Sequence, residues 1–445
     1  MNRGEVKNPE KRHYSLVCPL CRQSWADDGL MLSCTGNHSP ALLQTSYEEE
    51  EFKPLADVDG VFRYRSWLPV TRTFAGAGGT TVLRSERISR FLGLPRLWLA
   101  FNGYWPEKGG FLETCTFKEL EAYAVLGRMP QESPVLVVAS AGNTAAAFAA
   151  VCSRYARPCL LIIPDRGLSR MRLREALRPD VRLVVAEGAD YADAIALAEA
   201  VGNRPGFTLE GGVRNVARRD GLATVMYRAS EEMGELPEHY FQAVGSAAGA
   251  IAAHEAAKRL RKGTASRRTA LPRLFLSQNA DFAPIHRAWQ GRTGAVMPHD
   301  GRHAFADELT NRCPPYEVHS GVHDTLTESA GEVLTVDRAS AVAAMKVFRD
   351  LESIDLEPAA AVAAASLFTA VKAGKVPRDS SVLLNVTGGG RARLSQDFAL
   401  QQAEPHLRVR ADGPRDEALG LIEGLFAPPD AARPREPSVQ PTAPV

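Results

Sequence analysis

The chain has 445 residues, with 53 Lys+Arg against 52 Asp+Glu and 45% hydrophobic residues, enough to bury a large core in two or three domains. The balanced charge gives no bulk attraction for nucleic acid or a membrane surface, and no apolar run approaches the roughly 18 to 20 residues that cross a bilayer. The start MNRGEVKNPEKRHYS does not lead into a signal-peptide apolar core, so a cytoplasmic protein with its seven Cys mostly reduced is expected.

Residues 1–13 are polar and expected to be flexible. A short cysteine-containing module follows over 14–47 and ends at the acidic run 48–51. Within it Cys18 and Cys21 form a Cys-x2-Cys knuckle, and Cys34 lies further on. Asn37 stands where a second such knuckle would place its cysteine, and His38 comes one residue later. Three thiolates and an imidazole make a chemically reasonable Cys3His zinc set, structural if occupied; the departure from four cysteines leaves its occupancy open. Cys115, Cys152, Cys159 and Cys313 show no ligand spacing and are expected to be free thiols.

From 48 to about 410, short apolar runs alternate with alanine-rich ones. Residues 135–139, 160–163, 181–186, 240–244 and 382–386 predict buried strands, and 144–150, 191–201, 250–260 and 359–373 predict helices. That alternation predicts an α/β fold of mostly parallel sheets, with a ligand at the carboxyl ends of the strands. The basic, Ser/Thr-rich stretch 261–270 predicts an exposed loop. The proline-rich tail 427–445 carries few large apolar groups and is expected to be disordered.

The chemistry falls at turns that lead into helix-like runs. Lys118 follows Thr114, Cys115, Thr116 and Phe117 and opens a helix-like stretch over 119–126. A lysine just past small, hydroxyl-bearing residues can form a Schiff base with an aldehyde. Ser140, Gly142, Asn143 and Thr144 lie where the strand 135–139 turns into a helix, so backbone N–H groups and an amide can face a ligand there. Gly245, Ser246, Ala247, Ala248 and Gly249 join another strand to another helix. Small residues let backbone N–H groups close around an anion, which suits a phosphate cradle. The lysine run and the 140–144 turn together suggest pyridoxal phosphate, while residues 245–249 on their own also fit an ordinary tight turn.

The run Thr114–Lys118 is similar to the Thr-Gly-Ser-Phe-Lys of threonine synthase and its fold-type II pyridoxal phosphate relatives, with Cys115 at the family's Gly. Residues 140–144 look like their Ser-(Ser/Ala)-Gly-Asn-Thr turn. Residues 101–109, 210–221 and 239–246, with Phe305-Ala306-Asp307 and Thr387-Gly388-Gly389-Gly390, make the wording most similar to the cysteate synthase family. The resemblance spans roughly 15–395. It implies two doubly wound α/β domains behind the cysteine module, the tryptophan synthase β-like arrangement, so 48–410 would be a two-lobed catalytic region.

It also implies roles. Lys118 would hold the cofactor aldehyde and then act as base on the substrate Cα proton. Asn143 would bond the ring hydroxyl oxygen, residues 245–249 would hold the phosphate, and Thr387 would face the pyridine nitrogen. A hydroxyl there, rather than Asp, favours loss of a β-leaving group over transamination or racemisation. Thr116, Ser140, Asn143 and Thr144 would contact substrate. Arg218, more than Arg214 or Arg219, would hold its oxyanion. The implied reaction is β-replacement, converting O-phospho-L-serine and sulfite to L-cysteate and phosphate through an aminoacrylate, in a homo-oligomer. Threonine synthase chemistry on O-phosphohomoserine, another nucleophile, and an inactive binding paralogue are the alternatives.

Overall fold

The computed structural model describes residues 11–263, 270–292, 297, 301 and 303–427. Most of the expected flexible start and nearly all of the proline-rich tail therefore lie outside the described residues.

Two largely parallel sheets organise the chain. The first orders Phe207–Leu209, Val135–Ala139, Cys159–Pro164, Val181–Glu187 and Leu407–Arg410, all parallel. The second orders Glu332–Val336, Arg273–Asn279, His239–Ala243, Val382–Val386 and Leu97–Phe101 in parallel, with Thr81–Arg84 antiparallel at its edge. Successive strand residues point to opposite faces, and both faces of each sheet are covered by helices. In the first sheet, Val137, Leu160, Ile162 and Val184 pack under the helices Tyr191–Gly202 and Arg415–Gly424. In the second, Phe241, Phe275, Val382 and Leu384 pack against Arg338–Glu352 and Pro358–Lys372.

The other faces meet. Leu136, Val138, Leu161 and Ile163 of the first sheet and Tyr240, Leu274, Leu276 and Leu383 of the second belong to one hydrophobic core. The helices Lys118–Arg128, Val216–Met233 and Ala248–Gly263 fill it. The two lobes thus share a core, and the carboxyl ends of their strands open toward a common cleft.

The predicted strands 135–139 and 382–386 coincide with Val135–Ala139 and Val382–Val386, and the other elements agree to within a few residues. Two boundaries differ. The helix Ala248–Gly263 takes in the start of the stretch predicted as a loop, whose residues 264–269 lie outside the described residues. The folded region also runs past 410: the strand Leu407–Arg410 completes the first sheet, and Leu419 and Ile422 of the following helix are buried on it. That helix is short and begins after Gly413 and Pro414, so its apolar stripe is faint in the sequence. Among the described residues no helix is long and apolar enough to cross a membrane.

The strands Tyr14–Val17, Ser24–Trp25 and Gln44–Tyr47 of the cysteine module form a small antiparallel sheet. Buried polar contacts fasten it to the body. Asp27 accepts two hydrogen bonds from the Arg128 guanidinium, Nε at 2.9 Å and Nη2 at 2.8 Å, and one from Tyr14 at 2.6 Å. Asp220 accepts from the Thr45 hydroxyl and, at 2.6 Å, from Tyr47, while Arg219 donates to the Leu43 carbonyl. Burial pushes the Asp27 pKa up, but the hydrogen bonds and charge of Arg128 outweigh it and hold the carboxyl below its usual value. Replacing Asp27 with Ala leaves a buried guanidinium without its carboxylate, so Asp27→Ala is expected to lower unfolding stability by about 3–5 kcal/mol in urea denaturation. A midpoint unchanged from wild type would show that this pair does not hold the module down.

Candidate active site

Between the lobes lies a cleft with about 840 Å³ of atom-free space, part of it continuous with solvent. Thr116, Phe117 and Lys118 line it from the segment entering Lys118–Arg128; Ser140, Asn143 and Thr144 from the turn after Val135–Ala139; residues 245–249 from the turn after His239–Ala243; and Thr387 from the end of Val382–Val386. Four segments of the chain are thus brought to one place, three of them at the carboxyl ends of parallel strands and the lysine segment at the start of a helix.

The lysine segment is tightly positioned. Phe117 N–H donates to the Thr387 carbonyl at 3.0 Å and Gly389 N–H to the Cys115 carbonyl at 3.0 Å. Cys115 is buried in the left-handed region at φ 59°, a conformation that favours glycine. Lys118 is the first residue of its helix, where the positive end of the helix dipole disfavours an ammonium. Desolvation lowers the Lys118 pKa, and Glu121 opposes that shift: its Oε2 lies 3.2 Å from Nζ. The amine therefore lies closer to its neutral, nucleophilic form than a solvated lysine does.

Glu121 was not singled out by sequence, although its i,i+3 spacing from Lys118 is a usable signal. Its other oxygen meets Arg218 Nη1 at 2.9 Å and accepts from Thr144 Oγ1 at 3.0 Å. Glu210, at the end of Phe207–Leu209, takes the Arg218 Nε at 2.8 Å together with Nη2. Arg218 thus reaches the cleft wall with its fork occupied by two carboxylates, not free for an oxyanion as the sequence suggested. Arg214 is partly exposed and 3.6 Å from Glu199, and Arg219 turns away toward the cysteine module.

Two polar atoms of the cleft, Thr116 Oγ1 and Asn143 Oδ1, are buried without a protein partner. Such orphans are costly unless a ligand satisfies them. Ser140 differs: its Oγ accepts from Gly142 N–H at 2.9 Å and Ala145 N–H at 3.0 Å, capping the helix Asn143–Arg154. In the 245–249 turn Ala247 has φ 60°, and the helix starting at Ala248 begins at the cleft, which Ala248 and Gly249 line; the first N–H groups of a helix lack intrahelical partners and suit an anion. Gly249 is required by close approach, because a Cβ there would lie 2.7 Å from Gln242 Nε2 and 2.9 Å from the Phe117 ring. An amine, an orphaned amide, a small-residue anion cradle and the Thr387 hydroxyl converge here, a donor set that fits pyridoxal phosphate.

The chain belongs to the pyridoxal-phosphate dependent enzyme family, whose model matches residues 73–388, and its cofactor is pyridoxal phosphate. It is 41% identical over 415 residues to cysteate synthase from Methanosarcina acetivorans, covering 91% of this chain and 99% of that one. Cysteate synthase from Methanoculleus marisnigri is 43% identical, covering 90% and 94%. Among solved structures, tomato (Solanum lycopersicum) threonine deaminase isoform 2 aligns with a TM-score of 0.56 at 16% identity, covering 71% of this chain and 86% of that one. Maize serine racemase aligns with a TM-score of 0.55 at 16% identity, covering 72% and 92%. These last two establish the fold, that of the fold-type II enzymes.

Glu119, beside the lysine, has a carboxyl pushed up to about 7 by burial, against hydrogen bonds from the Thr114 N–H and hydroxyl that favour the anion. With the folded pKa raised, the folded protein binds this proton more tightly than the unfolded chain. Its stabilisation is full below the ordinary value of 4.5, declines as pH rises, and is lost above about 7. The unfolding free energies of wild type and Glu119→Gln should therefore diverge across that window in a urea titration at stepped pH. Parallel curves would refute the assignment.

Proposed function

We propose that the chain catalyses β-replacement on O-phospho-L-serine, with sulfite as nucleophile and L-cysteate and phosphate as products. The observation that carries this reading is the meeting in one cleft of the Lys118 amine, the Asn143 amide, the 245–249 cradle and a hydroxyl, not a carboxylate, at Thr387. Near-full-length similarity to cysteate synthases supports it.

When bound, pyridoxal phosphate supplies an electron sink for charge that develops at the substrate Cα. In this reading the N–H groups of 245–249 would hold its phosphate, Asn143 would meet its ring hydroxyl oxygen, and a hydroxyl at Thr387, unlike a carboxylate, would not force its ring nitrogen to stay protonated. Lys118 Nζ, kept toward neutrality by burial, takes the Cα proton. Phosphate leaves Cβ with the bonding electrons, the sulfite sulfur adds its lone pair to that carbon, and Lys118 returns the proton to Cα. Thr116 and Thr144 offer hydroxyls to the substrate. Ser140 acts through its cap on Asn143–Arg154, holding Asn143 in place. Arg218 is a positioning residue, keeping Glu121 against Lys118. The acceptors are small molecules, and a homo-oligomer accords with the family.

The test is incubation of purified protein with O-phospho-L-serine and sulfite, reading phosphate release and cysteate by mass spectrometry. Lys118→Ala is expected to lower turnover by about 10³-fold or more. Threonine formed from O-phosphohomoserine, with no cysteate, would replace this reading by threonine synthase chemistry. Inactivity toward both, with no bound chromophore, would point to the binding paralogue.

A further inference from the structure

Outside the cleft, the cysteine module brings four ligating side chains together. The strand Tyr14–Val17 ends at Cys18. A turn closed by Arg22 N–H to the Cys18 carbonyl at 2.8 Å, with Arg22 at φ 62°, carries Cys21 back toward Cys18. Cys34 and His38 arrive from the loop before Gln44–Tyr47. One atom from each of the four lies within 4.8 Å of the others. His38 Nε2 is 3.1 Å from Cys34 Sγ and 3.5 Å from Cys18 Sγ, and the Cys21 and Cys34 sulfurs are 3.6 Å apart. A tetrahedral zinc, about 2.3 Å from sulfur and about 2.0–2.1 Å from nitrogen, places its ligand atoms about 3.5–3.8 Å apart. Three of the shell's six edges are thus already close to those of a zinc tetrahedron, and the others lie within 4.8 Å.

Its surroundings are those of ligands. His38 Nδ1 lies 2.7 Å from the Ser39 carbonyl, an acceptor only, so Nδ1 carries the proton and the Nε2 lone pair faces the sulfurs. Gly36 N–H points at Cys34 Sγ at 3.2 Å. A Cβ on Gly36 would lie 2.9 Å from the His38 ring and 3.3 Å from that sulfur, so only glycine lets both ligands turn inward. The module has little apolar substance of its own, with Tyr14, Leu16, Cys18 and Leu43 packing on Val216. Segments this small generally need a metal or disulfide to hold their loops, and the three cysteines of the cluster are unbridged.

We propose that Cys18, Cys21, Cys34 and His38 bind one zinc ion as a closed, structural centre. The loop it ties down lines, through Cys34, His38 and Leu42, a second cavity with about 1580 Å³ of atom-free space, part of it continuous with solvent. That cavity adjoins the catalytic cleft, sharing Tyr191, Arg218 and Ser246 with it. Four protein ligands leave no open coordination position, so the ion takes no part in the chemistry.

The experiment is elemental analysis of the full-length holoenzyme after gel filtration in chelator-free buffer. The expected result is about one zinc per chain in wild type, falling about tenfold or more in His38→Ala and in Cys21→Ser. Both variants should keep the visible absorbance of the bound cofactor, since neither residue touches the cleft. Should a variant fail to accumulate, the native chain decides alone: cobalt exchanged into it should give the intense visible d–d bands of a tetrahedral thiolate site. The proposal is overturned by wild type holding no zinc after zinc addition, by variants holding as much as wild type, by cobalt without tetrahedral bands, or by a Cys21–Cys34 disulfide in the peptide map.

Discussion

A chain of polar pairs, Lys118–Glu121–Arg218–Glu210, with Glu121, Arg218 and Glu210 buried and Lys118 half-buried at its cleft end, is the constraint on which the remaining architecture turns. Burying any one of these groups alone would be prohibitive. Together they compensate, because Arg218 is held by two carboxylates and Glu121 reaches both cations. Breaking such a cluster costs far more than its net contribution, since each survivor is left uncompensated. The arrangement locks the start of Lys118–Arg128, the start of Val216–Met233 and the end of Phe207–Leu209 to one another, and the cleft lies over that junction. It also sets the state of the amine: burial drives Lys118 toward neutrality while Glu121 keeps it anchored.

A second polar network supports the cleft from the other lobe. Asn102 Nδ2 donates to Asn385 Oδ1 at 2.8 Å, and Asn385 Nδ2 donates to Tyr240 at 2.8 Å and to Gln242 Oε1 at 3.0 Å. These side chains tie three adjacent strands just before they reach Thr387 and the 245–249 turn. Fully paired buried networks of this kind are rigid and specify one arrangement. Across the cleft mouth, Arg170 of the first lobe pairs with Asp307 and, at 3.2 Å, with Glu308 of the second. Glu308 is itself pushed up to about 7 by burial. The lobes are therefore joined by charge at the rim as well as by a common apolar core below.

The helix Val216–Met233 couples the cysteine module to the catalytic cleft. Three consecutive buried residues serve different neighbours: Arg218 the lysine cluster, Arg219 the Leu43 carbonyl, and Asp220 the Thr45 and Tyr47 hydroxyls. Successive helical residues point about 100° apart, so one turn can address both the cleft and the module. A displacement of the module therefore bears directly on the segment that carries Arg218.

Local pattern decided much of this protein. Short apolar runs bounded by glycine or polar turns fit buried strands of a parallel sheet, and the longer alanine-rich runs between them fit crossover helices. The same local chemistry marked Asn143 and the 245–249 turn as residues at strand ends and Lys118 as an amine opening a helix, while the family resemblance supplied Thr387. The Cys-x2-Cys knuckle with Cys34 and His38 was visible as spacing alone. What sequence could not supply was partnership across the chain. Arg218 reads as a free oxyanion binder until Glu210 and Glu121, 8 and 97 residues away in sequence, close on it. Ser140 reads as a ligand contact until its hydroxyl is seen capping a helix. The strand Leu407–Arg410 reads as an ending until it completes a sheet begun near residue 135. Periodicity and turn chemistry act between neighbours along the chain, so the sequence shows them. Charge compensation and sheet closure act between segments that meet only when the core forms, so the tertiary structure alone decides them.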